Sequence, residues 1–176
     1  MSDLTLQSDS FADGDYLADA HILSEAYGFG CAGANQSPHF AWSGAPAGTE
    51  SFALTCFDPD APTGSGFWHW VAVNIPADVS ALALNASAAG AMPAGALETR
   101  TDFGQPGYGG CCPPPGDHPH RYIFTLHAVG LKELPVTADT SAAVIGFQLH
   151  FNTLAKASLM GLYKRYSPGR GGSTAA

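Results

Sequence analysis

Three segments of the chain carry side chains whose types and spacing could do chemistry. The first is Asp58-Pro59-Asp60-Ala61-Pro62. Two carboxylates two residues apart, braced by two prolines, make a rigid turn. Proline fixes φ, and either X-Pro bond could be cis. Taken alone, this is equally well a sound turn with aspartate caps. The second is Phe67-Trp68-His69-Trp70. Strict strand alternation points His69 to the face opposite the two tryptophans. A lone strand histidine is more often a satisfied core residue than a ligand. The third runs from Tyr108 through Gly109, Gly110, Cys111, Cys112, Pro113, Pro114 and Pro115 to His118, His120, Arg121 and Tyr122. Its glycines allow close backbone approach and exposed N–H groups. Its prolines wall the loop. His120 and Tyr122 project from one strand face, and Arg121 faces the other way as a structural residue.

Together these segments supply imidazole N–H, phenol O–H and backbone N–H donors on stiff supports. That set could donate hydrogen bonds to a small anion. Asp58 would repel an anion directly. Its useful role is to accept from an imidazole and hold its tautomer and charge. No other cation than Arg121 lies in these segments, so binding should be modest. It should also weaken as pH rises above about 7 and the histidines lose charge.

Elements must position these groups. Residues 51–57 and 68–75 read as strands, each closed by a proline-containing turn. Residues 120–129 alternate, but both faces are largely apolar, as in a central strand covered on both sides. A helix is expected over 140–152, capped by Asp139 or Thr140, with Val144, Phe147, Leu149 and Phe151 as a loose stripe. A last strand is expected over 157–163. The Gly/Pro-rich stretch 103–119 cannot be regular, and so long a loop in a compact domain is usually functional. The sum is an all-β sandwich or barrel-like fold with one late helix.

Composition bounds the rest. The 176 residues suit one domain over 1–166, with a disordered tail over 167–176. The formal net charge of −8 argues against nucleic acid and anionic membranes as partners, so any anion site must be local and built from aimed donors. The start lacks a basic region followed by an apolar run, and no stretch is long enough to span a membrane. A cytoplasmic address is the default expectation. Cys31, Cys56, Cys111 and Cys112 are then expected as free thiols.

The combination of DPDAP, then W-H-W, then a Gly/Pro loop leading into H-R-Y is not a generic β pattern. On these residues the chain resembles the phosphatidylethanolamine-binding protein family, in its bacterial Raf-kinase-inhibitor-like branch. The resemblance runs from Leu4 to Tyr166. Ser37-Pro-His-Phe-Ala-Trp42, Pro62-Thr-Gly-Ser-Gly66, Thr99-Arg-Thr-Asp-Phe-Gly104 and Leu154-Ala-Lys-Ala157 support it. It implies a large antiparallel sheet packed on a smaller one, with C-terminal helical structure and a shallow surface pocket for phosphate-type headgroups. Asp58, His69, His120 and Tyr122 match the pocket residues, Pro62, Pro113 and Pro114 match its wall, and Asp60 matches a structural carboxylate. Cys111 and Cys112 depart from the glycine, alanine or proline usual there, and a Cys112 thiol would narrow the pocket. No cofactor and no catalytic residue is implied. A regulatory contact with a kinase or protease, and a homodimer through exposed Trp or Phe, are compatible but not required.

Rival readings are weaker. Asp58-x-Asp60 with Thr63 superficially resembles a DxDxT phosphatase motif, but the alternating β and α segments of that scaffold are missing. Cys112 with His120 could form a nucleophile and base, without an evident third group. Cys111, Cys112, His118 and His120 lack the two-residue gap of zinc knuckles. His21, His39, His118, His127 and His150 are read as structural or solvated.

Overall fold

A computed structural model describes residues 3–167, so all but Ser167 of the expected tail lies outside the described residues. In chain order the elements are β1 (Thr5–Gln7), β2 (Phe40–Ser43), β3 (Ser51–Asp58), β4 (Phe67–Pro76), β5 (Ala81–Leu82), β6 (Leu97–Glu98), β7 (His120–Val129), α1 (Ala142–Asn152) and β8 (Thr153–Tyr163). They form an antiparallel five-stranded sheet, β6-β4-β3-β7-β8, and a small antiparallel sheet, β1-β2-β5. The expected sandwich of a large on a smaller sheet is therefore the observed architecture.

The inner faces of the two sheets meet on aromatic residues. Phe40 of the small sheet lies 5.0 Å from Phe124 and 6.5 Å from Trp70 between ring centroids, and all three rings are fully buried. Phe11 tilts onto Phe124 at 5.5 Å. Removing such a ring costs on the order of 3–5 kcal/mol. The outer face of the large sheet carries Ala53, Val71, Val73 and Val129 under α1. β3 thus has strands on both edges and cover on both faces, which is why SFALTCFD is apolar almost throughout.

α1 starts later than expected. Ser141, and neither Asp139 nor Thr140, is the cap: its hydroxyl accepts from the Val144 N–H. The buried face is Ala142, Ile145 and Leu149, while Val144, Phe147 and Phe151 are exposed. Apolar residues surround this helix, so composition does not mark its inner face, and contact with the sheet decides it. The chain then enters β8 directly, four residues before the expected start. Every peptide bond among the described residues is trans, including those before Pro59 and Pro62.

The 103–119 segment has no regular structure of its own and is held by hydrogen bonds. The Gly109 N–H donates to the His69 carbonyl, the Gly110 N–H to Asn35 Oδ1, and Tyr108 Oη to the His21 carbonyl. A Cβ on Gly110 would run into the His21 carbonyl oxygen, so glycine is needed for this close approach.

Candidate functional site

Strict alternation fails at His69, and that failure makes the site. Pairing of β3 with β4 shifts register between Cys56↔Trp70 and Phe57↔Trp68, leaving His69 as an extra residue in a β-bulge. The bulge puts Trp68 and Trp70 on opposite faces, against the expectation that they share one. Trp68 stacks outward on Phe57 at 4.5 Å, and Trp70 turns inward to Phe40. His69 turns inward as well, 5.1 Å from the Tyr122 ring. Bulges recur beside binding sites because they re-aim a side chain in this way.

Each imidazole is held on one side. His69 Nδ1 lies 2.8 Å from the Gly109 carbonyl and 3.1 Å from that of Gly110. Carbonyls only accept, so Nδ1 carries the proton and Nε2 is the ring nitrogen left for a ligand. Burial drives the His69 pKa below its ordinary value, against the opposing pull of the Gly109 carbonyl and Asp58. Burial thus favours the neutral ring. His120 Nδ1 meets Asp58 Oδ2 at 2.8 Å, and both side chains are almost fully buried. The other Asp58 oxygen accepts from the Asp60 N–H at 2.8 Å, so one carboxylate shapes the turn and aims the histidine. On its far side His120 Nε2 meets Asp117 Oδ2 at 3.1 Å, and Asp117 is 38% exposed.

Tyr122 completes the set. It is buried, and among the described residues its Oη has no oxygen or nitrogen partner, with only the weakly accepting Cys111 sulfur close by. Burial raises its pKa far above the ordinary phenol value, so it stays a neutral O–H donor. Leaving such a donor unpaired costs about 1–3 kcal/mol, which an incoming acceptor would recover.

Asp58, Pro62, His69, Cys112, Pro113, His120 and Tyr122 all line one cavity of about 180 Å³. Phe29, Phe67 and Phe103 form much of its apolar wall, with Phe103 edge-on to His69 at 5.4 Å. Among the described residues, no lysine or arginine lines it. Arg121 instead forms a fork with Asp60, 2.9 Å at both contacts, on the other side of the strand. Hydrogen bonds from this guanidinium hold the Asp60 pKa down at about 2.

Sequence reasoning missed Asp117 and the three phenylalanines. Phe67 and Phe103 sat inside stretches already singled out. Nothing in the spacing marks Phe29, which is brought in by a covalent bond two residues away. Cys31 and Cys112 form a disulfide with a Cα–Cα distance of 5.9 Å, against the expectation of free thiols. Their separation of 81 residues hides the pairing in the sequence, and only the packing of the 22–35 loop on the 109–112 segment reveals it. Cys56 and Cys111 are free and buried, and burial pushes both thiols up. With Cys112 oxidised, the Cys112–His120 nucleophile–base pair has no thiolate. Arg165 clamps the same corner, with Nη1 3.3 Å from both the Phe29 and Pro113 carbonyls.

Comparison with known proteins identifies the family. Residues 7–164 match the family model described as phosphatidylethanolamine-binding protein. The UPF0098 protein YbhB of Escherichia coli is 50% identical over 161 residues, covering 91% of this chain and 99% of that protein. The crystal structure of E. coli YbcL superposes with a TM-score of 0.87 at 45% identity, covering 92% of this chain and 98% of the other. A homolog from Chlamydia trachomatis superposes with a TM-score of 0.76 at 25% identity, over 94% and 99% of the two chains. On its sequence match over residues 7–164 and its fold, the chain belongs to the phosphatidylethanolamine-binding protein family.

Proposed function

We propose that the cavity binds a small oxyanion of the phosphate-ester type, and that the protein works as a binding module and not as an enzyme. One observation carries this reading: the buried Tyr122 O–H has no oxygen or nitrogen acceptor among the described residues and lines the same cavity as His69 and His120. An oxyanion there takes the place of the Asp117 carboxylate at His120 Nε2 and accepts from Tyr122. Asp117 is exposed enough to swing out into water.

His69 determines the protonation state of the complex. Its neutral ring presents Nε2 as an acceptor, so the partner must bring a proton. A phosphate monoester monoanion does so through its P–OH group. A dianion is accommodated only if His69 itself becomes protonated. Either route takes up a proton, so affinity falls as pH rises past the second ester pKa near 6. With no lysine or arginine among the described wall residues, affinity is modest. The apolar wall suits a headgroup or a phosphorylated side chain with carbon atoms next to the ester, which leaves room for a regulatory contact with a kinase or protease.

Titration calorimetry with inorganic phosphate and phosphoethanolamine from pH 5.5 to 8 tests the proposal. Affinity should fall with pH and be lost in His120→Ala. Flat affinity across this range, or turnover of a phosphate ester that depends on His120, would overturn it. A cytoplasmic residence, the expectation from the sequence, would expose the Cys31–Cys112 bond to reduction. Thiol quantification on protein taken directly from cells decides that point, and sedimentation decides whether the chain pairs with itself.

A further inference from the structure

The large sheet has a second concavity, on the face away from the anion cavity. It lies between α1 and the outer side of β3, β4, β7 and β8, with a volume of about 520 Å³. That size falls in the usual range for small-molecule sites. It shares no lining residue with the anion cavity. Its apolar floor is Trp68, Val71, Ile145 and Leu149. Trp68 reaches this side only because the bulge at His69 separates it from Trp70.

Two features distinguish this cleft from a packing defect. The first is Gly146, in the middle of α1 and on the cleft wall. Glycine in a helix interior costs roughly 0.5–1 kcal/mol relative to alanine. Its φ is ordinary, and a Cβ built there would meet nothing within 4 Å, so neither backbone conformation nor crowding demands glycine. Its effect is to leave the mouth open. The second is charge. Lys156 lines the cleft and forms no ion pair among the described residues, in a chain with 15 acidic residues against 7 basic ones. His150 lies on the same wall. Deeper polar groups are already engaged: His127 Nδ1 pairs with Thr153 Oγ1 at 3.0 Å. Burial first, and Lys156 second, bring the His127 pKa down to about 4, so it adds no charge near neutral pH.

We propose that this cleft is a second ligand site, taking a small monocarboxylate with an apolar body: the carboxylate at Lys156 and the body on Trp68, Ile145 and Leu149. A single unpaired ammonium matches one negative charge. A phosphate dianion would need more donors than the wall offers. The site is independent of the oxyanion reading and stands or falls separately.

Amide NMR with 1-naphthoate tests it, with saturating inorganic phosphate present to occupy the other cavity. Saturable shifts should cluster at Gly146, His150, Thr153 and Lys156. Gly146→Leu fills the mouth and should weaken binding at least about tenfold. Lys156→Gln, an exposed change that cannot unfold the core, should weaken it roughly two- to fivefold. The neutral analogue 1-naphthalenemethanol should bind more weakly by a similar factor. No saturable shift in the millimolar range, shifts confined to the His69 and Tyr122 region, wild-type binding by both variants, or equal binding of the neutral analogue would each overturn the proposal.

Discussion

Replacing Asp117 by asparagine should make the protein bind phosphate more tightly. The Asp117 carboxylate sits 3.1 Å from His120 Nε2, the atom that must donate to the ligand. An oxyanion arriving there pushes the carboxylate aside to about 5 Å or more. Two unit charges at that distance repel by about 0.8 kcal/mol in water-like surroundings and about 3 kcal/mol at an effective dielectric constant of 20. Asp117 is 38% exposed, so the lower end applies, about 1 kcal/mol. Asparagine removes the charge and keeps an acceptor of similar shape. Affinity for inorganic phosphate should therefore rise roughly fivefold at low salt. The gain should shrink as ionic strength approaches 1 M, where charges are screened over about 3 Å. Calorimetry of the two proteins side by side at pH 6 and two salt concentrations gives the comparison. Unchanged or weaker binding by Asp117→Asn would refute the idea that this carboxylate holds the ligand's place.

Other consequences follow from the same geometry. Tyr122→Phe removes a donor that has no oxygen or nitrogen partner among the described residues, so urea denaturation should show stability equal to or above wild type, while phosphate affinity drops by about 1.5–3 kcal/mol; a stability loss without an affinity loss would assign Tyr122 to packing alone. Replacing both Cys31 and Cys112 by serine opens a loop spanning 81 residues, and should lower stability by about 2–4 kcal/mol in urea melts, to the level of wild type under reductant. His69 and His127 both have folded-state pKa values below the unfolded value, His127 at about 4. Between the folded and unfolded pKa values the unfolded chain binds more protons. Stability is then complete above about pH 6.5 and is lost as pH falls toward 4. Thermal melts over that range should show this slope, and phosphate should reduce it by stabilising a protonated complex.

Much of the site was legible because its residues sit in short stiff segments. Asp58 and Pro62 share one turn, and His120 and Tyr122 share one strand face. A period of two is enough to place the second pair, and proline stiffness the first. His69 was legible as a residue but not in its full setting: alternation puts it opposite both tryptophan neighbours, and a one-residue bulge leaves it on the same face as Trp70. Bulges arise from pairing with a neighbouring strand, here Cys56 and Phe57 of β3, and a single strand read alone carries no trace of the partner. The same holds for α1, where Phe147 and Phe151 are as apolar as Ile145 and Leu149 and only the sheet distinguishes them. The Cys31–Cys112 bond, Phe29 and Asp117 depend on contacts between loops remote in sequence. The three-stranded sheet, two of whose strands have only two or three residues, is too short to show a period at all.

The central claim concerns two ring nitrogens, and side-chain nitrogen NMR of the histidines during a phosphate titration reports on them directly. In the free protein His69 should appear protonated at Nδ1 and bare at Nε2. Saturating phosphate at pH 6 should move the Nε2 signals of both His69 and His120 while leaving His39, remote from the cavity, where it was. Saturating phosphate that leaves both Nε2 signals unmoved would contradict the account.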